Sequence, residues 1–211
     1  MTTHERLFTA DVQTPQQVLD AWFKDEETGR MDLPQSKRWF LGGEALDSSL
    51  QTQFSSTIEA ASARELEHWK EEPESALALI VLLDQFNRNI HRGTASAFSL
   101  DDQALATCHH SIDNHFASQL PLTQQVFVYM PLEHDESLAS QEKSVALFQQ
   151  LVAMAPVSLE KFAQGILDYA LQHQAIIQQF GRYPYRNEVI GRASTPEEIH
   201  WLAEKNTRFG Q

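Results

Sequence analysis

Cysteine occurs once in this chain, at position 108, so no intramolecular disulfide can staple the fold. A single thiol also fits a reducing compartment. Basic residues are scarce: 16 Lys and Arg stand against 29 Asp and Glu, a formal net charge of -13. A phosphate lattice needs a basic face, so this balance argues against nucleic acid and equally against an anionic membrane surface. Long apolar runs are missing as well. The longest, Ala76 to Leu83, is eight residues, where a membrane span needs about 20. The opening residues, MTTHERLFTADVQ, lack the apolar core of a leader, and the expected location is cytoplasmic. Neither G-x-x-x-x-G-K-[ST] nor G-x-G-x-x-G is present to cradle a nucleotide, nor is there a serine nucleophile elbow, and no cofactor is expected. Strand alternation, hairpin turns, Gly/Pro-rich linkers and tandem repeats are absent too. What remains is one all-α domain over residues 1–211, with an ordinary 42% of hydrophobic residues to build its core.

Helix signals are frequent. Thr14, Pro15 and Gln17 form a capping box with proline at the first helical position, and Thr195, Pro196 and Glu198 repeat the device near the other end. Leu46, Leu50, Phe54, Ile58 and Ala61 recur at helical spacing in a segment running to Trp69. The continuous apolar run places a helix buried on several sides from Pro73 to about Ile90. Asp101 and Asp102 suit a helix N-terminus, ahead of a stripe of Leu105, Cys108, Ile112 and Phe116. Pro121 opens a segment that Pro131 ends or kinks. A helix follows over Leu138–Met154, and Ser158 starts a last long one with Phe162, Ile166, Tyr169, His173, Ile177 and Phe180 on one face. Gly181 and Pro184 stop it. The loop region 24–43 carries Trp39 and Phe40 and is expected to cover part of the helical body.

Polar groups concentrate at three helix ends. In LLDQFNRNIHRG, Asp84, Arg88 and Arg92 fall at i, i+4 and i+8, with Gln85 and Asn89 in the neighbouring row. Asp84 can hold Arg88 in an ion pair, which leaves Arg92 to bind; the bland alternative is an ordinary pair on an emerging helix. In PLEHDES, His134 lies among Glu133, Asp135 and Glu136, which suits an acid or an electrostatic anchor, or merely a solvated acidic turn. In GRYPYRNEVIGR, Arg182, Arg186 and Arg192 stand in a short loop with Asn187 and no lysine. Arginine's planar fork fits carboxylate or phosphate, and it fits surface acids equally well.

His173 stands on an apolar stripe, where a satisfied core histidine is the commoner outcome. Cys108 and its neighbours His109 and His110 read as core rather than nucleophile. Glu65-x-x-His68 and Glu197-x-x-His200 have di-iron ligand spacing. Two such hits are unsurprising in a glutamate-rich helical chain, and no metal site is expected.

LLDQFNRNIHRGTASAFSLD, FVYMPLEHDESLASQEKSVALF and HQAIIQQFGRYPYRNEVIGRASTPEE together resemble a bacterial domain-of-unknown-function family, family 924, over roughly residues 15–205. The resemblance implies stacked antiparallel helices of tetratricopeptide-like, superhelical type. It assigns no reaction, and whether the protein is an enzyme stays open. The family pattern matches the polar positions above; Asn87 stands in place of an expected proline, Asp135 of a serine and Tyr185 of a histidine.

Two functional readings follow. In the first, the motifs converge on a pocket for a small carboxylate- or phosphate-bearing ligand. Arg88, Arg92, Arg182 and Arg186 bind the anion, Asn89 and Asn187 orient it, and Asp84 and Glu136 support the site. Glu133, His134 and His173 would be the proton-transfer group. In the second, the helical body docks a protein or peptide and the arginine–carboxylate motifs are structural.

Overall fold

Residues 12–204 are described by the computed structural model. The reading of the opening residues as no leader, and both ends of the expected 1–211 domain, lie outside them. Helix α1 (Pro15–Phe23) begins at the Thr14–Gln17 capping box and buries Val18, Leu19, Trp22 and Phe23. The loop after it does cover the body: α2 (Ser36–Leu41) carries Trp39, whose buried indole N–H donates to Trp22 O at 2.8 Å and whose ring lies 4.8 Å from that of Phe127. Helix α3 (Glu44–Ser62) holds the whole apolar spacing from Leu46 to Ala61 and ends just past it, short of Trp69. Arg64 takes a left-handed φ of 62°, which breaks the helix, and a short 3-10 turn at Glu67–Glu71 brings Trp69 into the core instead.

The central helix holds the first polar motif. Helix α4 (Pro73–Ile80) and α5 (Asn87–Ile90) are joined without a break by a π-helical turn over Val81–Phe86, where Asn87 N–H reaches back to Leu82 O. Every residue from Ala76 to Leu83 is buried. Each Leu or Ile so placed stabilises by roughly 1.5–3 kcal/mol, which offsets the cost of enclosing Asp84 in the same helix.

Helix α6 (Asp101–Asp113) leads into α7 (Leu122–His134), which runs through Pro131 rather than ending there. Proline forfeits a single i→i−4 bond, and so close to the helix end that loss does not stop the last turn. Gln141, on α8 (Leu138–Met154), donates through Nε2 toward Glu133 O at 2.8 Å and Asp135 O at 2.7 Å, occupying carbonyls that the helix end leaves open. Helix α9 (Glu160–Phe180) starts after a 3-10 turn at Val157–Leu159, slightly later than Ser158. Its buried face is Ala163, Ile166, Leu167, Ala170, His173, Ile176 and Ile177; Tyr169, expected inside, is 52% exposed. Gly181 ends it at φ 69°, a conformation that glycine adopts without a Cβ penalty. Helix α10 (Pro196–Glu204) closes the described chain.

The described residues contain no strand, and the fold is all-α. Helices adjacent in sequence pack together, α7 with α8 and α8 with α9, while α1 and α6 contact α4 and α3 contacts the π turn and α5. One apolar core joins α1 to α9, and a smaller cluster of Ile176, Ile177, Tyr183 and Trp201 seats α10 on the end of α9. No helix among the described residues is long and apolar enough to cross a membrane.

Candidate functional site

Four chain segments end at one place: the π turn with α5, the start of α6, the end of α7 and the loop after α9. Asp84, 1% exposed, is the hub. Its Oδ1 accepts from His134 Nδ1 at 2.7 Å and lies 3.2 Å from Arg88 Nη2, and its Oδ2 accepts from Gln85 Nε2 at 2.6 Å. Burial pushes the Asp84 carboxyl up, but the charges of His134 and Arg88 reverse this and hold it well below the usual carboxylate range. A carboxylate only accepts, so the proton of the shared bond lies on Nδ1 and the free lone pair of a neutral His134 lies on Nε2.

Arg88 continues the chain of charges. Its Nη2 lies 2.9 Å from Asp101 Oδ1, and Arg186 Nη1 lies 3.4 Å from Asp101 Oδ2, so one carboxylate serves two guanidinium groups. Arg186 also donates to His134 O at 2.9 Å and is clamped between the rings of Phe98 and Tyr183, at 4.6 and 4.7 Å. Nε of Arg88 and Nε of Arg186 are buried without a hydrogen-bond partner. Burial raises the Asp101 carboxyl in spite of both arginines. Two carboxyls of one network are therefore displaced in opposite directions.

Of these groups Asp101, His134 and Arg186 border a cleft of ≈ 200 Å³; Asp84 and Arg88 do not line it. Phe98, Leu105 and Pro131 form its apolar wall. Asp101, Asp102, Asp135 and Glu136 line the rest, with His134 and Arg186 between them. Behind His134, the second histidine is paired separately. His173 Nδ1 lies 2.9 Å from Glu133 Oε1 and 2.9 Å from Tyr169 O, fully enclosed, with its ring 6.5 Å from that of His134. The hydroxyl of Tyr183 donates to Glu133 O at 2.5 Å, and burial pushes that hydroxyl far above its ordinary pKa, so it stays a donor.

The structure brings together Asp84, Arg88, His134, Glu136 and Arg186, and sets Glu133 and His173 directly behind them. Other predicted residues lie elsewhere. Arg92 stands past the end of α5, and its Nε meets Asp47 Oδ2 of α3 at 3.0 Å, so it is not left over for a ligand. Arg182 forms a two-pronged pair with Glu198, Nε–Oε1 2.6 Å and Nη2–Oε2 2.8 Å, and Asn187 Nδ2 donates to the same carboxylate at 3.2 Å. Arg192 forks onto Glu136 at 2.5 and 2.8 Å. Asn89 is buried beside Gly42 and does not border the cleft.

Sequence reasoning missed Phe98, Leu105 and Pro131 as cleft walls and Asp101 as the shared carboxylate. Asp101 and Asp102 carried only a helix-dipole signal, and Glu198 only that of a capping box. Cys108 is buried, with its thiol pushed up to about 12 by burial, and does not border the cleft. The four members of the two Glu-x-x-His pairs are all exposed, and no group of three or more His, Cys, Asp or Glu among the described residues is placed to hold a metal ion.

Comparisons with known proteins agree with the architecture. Residues 18–206 match the family described as bacterial proteins of unknown function, DUF924. A solved structure of a protein of unknown function from Agrobacterium tumefaciens, ATU0120, is similar to the chain with 32% identity and a TM-score of 0.77, covering 90% of this chain and 97% of that one. None of the curated proteins matches.

Proposed function

The chain belongs to the bacterial family of unknown function DUF924, and from that premise we propose that it binds a small carboxylate- or phosphate-bearing ligand in the cleft beside His134 and exchanges a proton with it. The observation that carries this reading is the 2.7 Å bond from His134 Nδ1 to the buried Asp84. A carboxylate behind an imidazole fixes its tautomer and stabilises the imidazolium formed when Nε2 takes a proton. Displacement of Asp84 and Asp101 in opposite directions is a common mark of acid–base sites. The π turn that carries Asp84 is a further feature frequent at functional sites. Arg186 is the guanidinium at the cleft and receives the anionic group; Arg88 backs it through Asp101. Glu133 and His173 position the end of α7 rather than touch the ligand. The absence of a spanning helix among the described residues and the single buried thiol suit a cytoplasmic setting.

A second reading has its own observation. Arg182 and Arg92 each fork onto one carboxylate away from the cleft and Arg192 onto Glu136 at its wall, as expected if the body were a tetratricopeptide-like scaffold docking a protein or peptide.

Thermal melting with inorganic phosphate and with mono- and dicarboxylates separates the two. A ligand at about 100 times its Kd should raise Tm by roughly 5 °C or more. Arg186→Gln should lose the shift, while His134→Gln should keep the fold and, where a reaction is found, lose turnover. If no anion moves Tm in the wild type, the ligand reading fails and the scaffold reading replaces it.

A further inference from the structure

The lining of the cleft is charged with both signs, and an anion is only half of what it fits. Among the described residues Arg186 is the one guanidinium that lines it, more than nine-tenths buried, with Nη1 and Nη2 against Asp101 and His134 O and Nε enclosed without a hydrogen bond. Against it stand four carboxylates, which differ in how they are neutralised. Asp101 is paired with Arg88 and Arg186, and Glu136 with Arg192. Asp102 is exposed and forms no ion pair among the described residues; Asp135 accepts a hydrogen bond from Ser140 Oγ at 2.5 Å and likewise meets no cation there. No salt bridge among the described residues balances these two carboxylates at the cleft.

A ligand carrying only negative charge would meet Arg186 and pay repulsion from Asp102 and Asp135. A purely cationic ligand would meet those two and oppose Arg186, which the Phe98 and Tyr183 rings hold in place. A molecule with an ammonium at one end and a carboxylate at the other satisfies both sets. Building on the ligand cleft proposed above, we infer that the ligand class is an amine-bearing acid, an amino acid or a comparable zwitterion. Its carboxylate lies toward Arg186 and its ammonium toward Asp102 and Asp135. Phe98, Leu105 and Pro131 contact the carbon skeleton between them, and His134 faces the bound molecule as its proton acceptor.

Isothermal titration of the full chain with unbranched ω-amino acids, from glycine to 6-aminohexanoate, tests this beside the carboxylic acids and the amines of matching length. At least one zwitterion should bind about ten-fold or more tighter than both of its singly charged counterparts. An Asp102→Asn/Asp135→Asn double variant, changed at one exposed and one half-buried position, should lose that margin while binding the acid at least as tightly as the wild type does. If the acid binds as tightly as the zwitterion, the zwitterion inference is overturned and the anion reading survives. If the amine alone binds as tightly, the inference and the anionic half of the earlier reading both fall. Absence of binding by every member at millimolar concentration overturns the inference, and the phosphate and carboxylate melts then decide the earlier reading separately.

Discussion

Glu198 and Asp101 meet arginine in opposite ways. Glu198 takes both prongs of a single guanidinium, Arg182, together with the Thr195 N–H at 2.7 Å, and these bonds bring its carboxyl down to about 2. Asp101 divides itself between Arg88 and Arg186, borders a cleft, and is pushed up by burial. The first arrangement is a closed latch that pins the start of α10 to the loop after α9. The second is an open chain of charges running from Asp84 to solvent. Matched pairs of this kind serve structure because every charge already has its complement. A shared carboxylate beside an imidazole leaves electrostatic work for a ligand to complete.

The largest effect should come from the hub of the open chain. Asp84→Ala leaves Arg88 and His134 facing a buried void and should lower unfolding free energy by about 3–5 kcal/mol, read by urea denaturation. A loss below about 1 kcal/mol would mean that water already reaches this charge, and the contrast with the latch would collapse.

Glu198→Gln should cost less, about 1–3 kcal/mol, because Arg182 is 28% exposed and can rehydrate. It should leave the zwitterion and acid affinities unchanged. The latch also has a pH signature of known sign. Glu198 ionises more readily in the folded protein than its ordinary 4.5, so its stabilisation is present above that value and is lost as pH falls toward about 2. The stability difference between wild type and Glu198→Gln should therefore shrink across that window; a constant difference would show that charge is not what the latch uses. Arg92→Ala should have the smallest effect, about 0.2–1 kcal/mol, since its pair with Asp47 lies at the surface, and it should not change ligand affinity at all.

Much of this was legible along the chain because it is local. Capping boxes at Thr14 and Thr195, the stop at Gly181, the Leu138–Met154 helix and the Asp84–Arg88 pair depend on residues within a few positions of one another. Pro131 allows an end or a kink, and a proline in the last turn removes too little to end the helix; Tyr169 falls just off the buried face of α9. The π turn at Val81–Phe86 has no compositional mark; it differs from an α-helical turn only in where one more residue is accommodated.

By itself the sequence determined an all-α body, its helix ends, and three polar motifs at those ends, since helix propensity, capping and 3.6-residue spacing act over short distances. Tertiary structure alone decided which charges meet. With 29 acidic residues available to 16 basic ones, pairing depends on separations of a few ångströms between segments as much as 85 positions apart, as for Asp101 and Arg186. Packing sent Arg92 to Asp47, Arg182 to Glu198 and Arg192 to Glu136. It left Arg186, His134 and the acidic residues around them at a cleft where carboxylates outnumber the guanidinium.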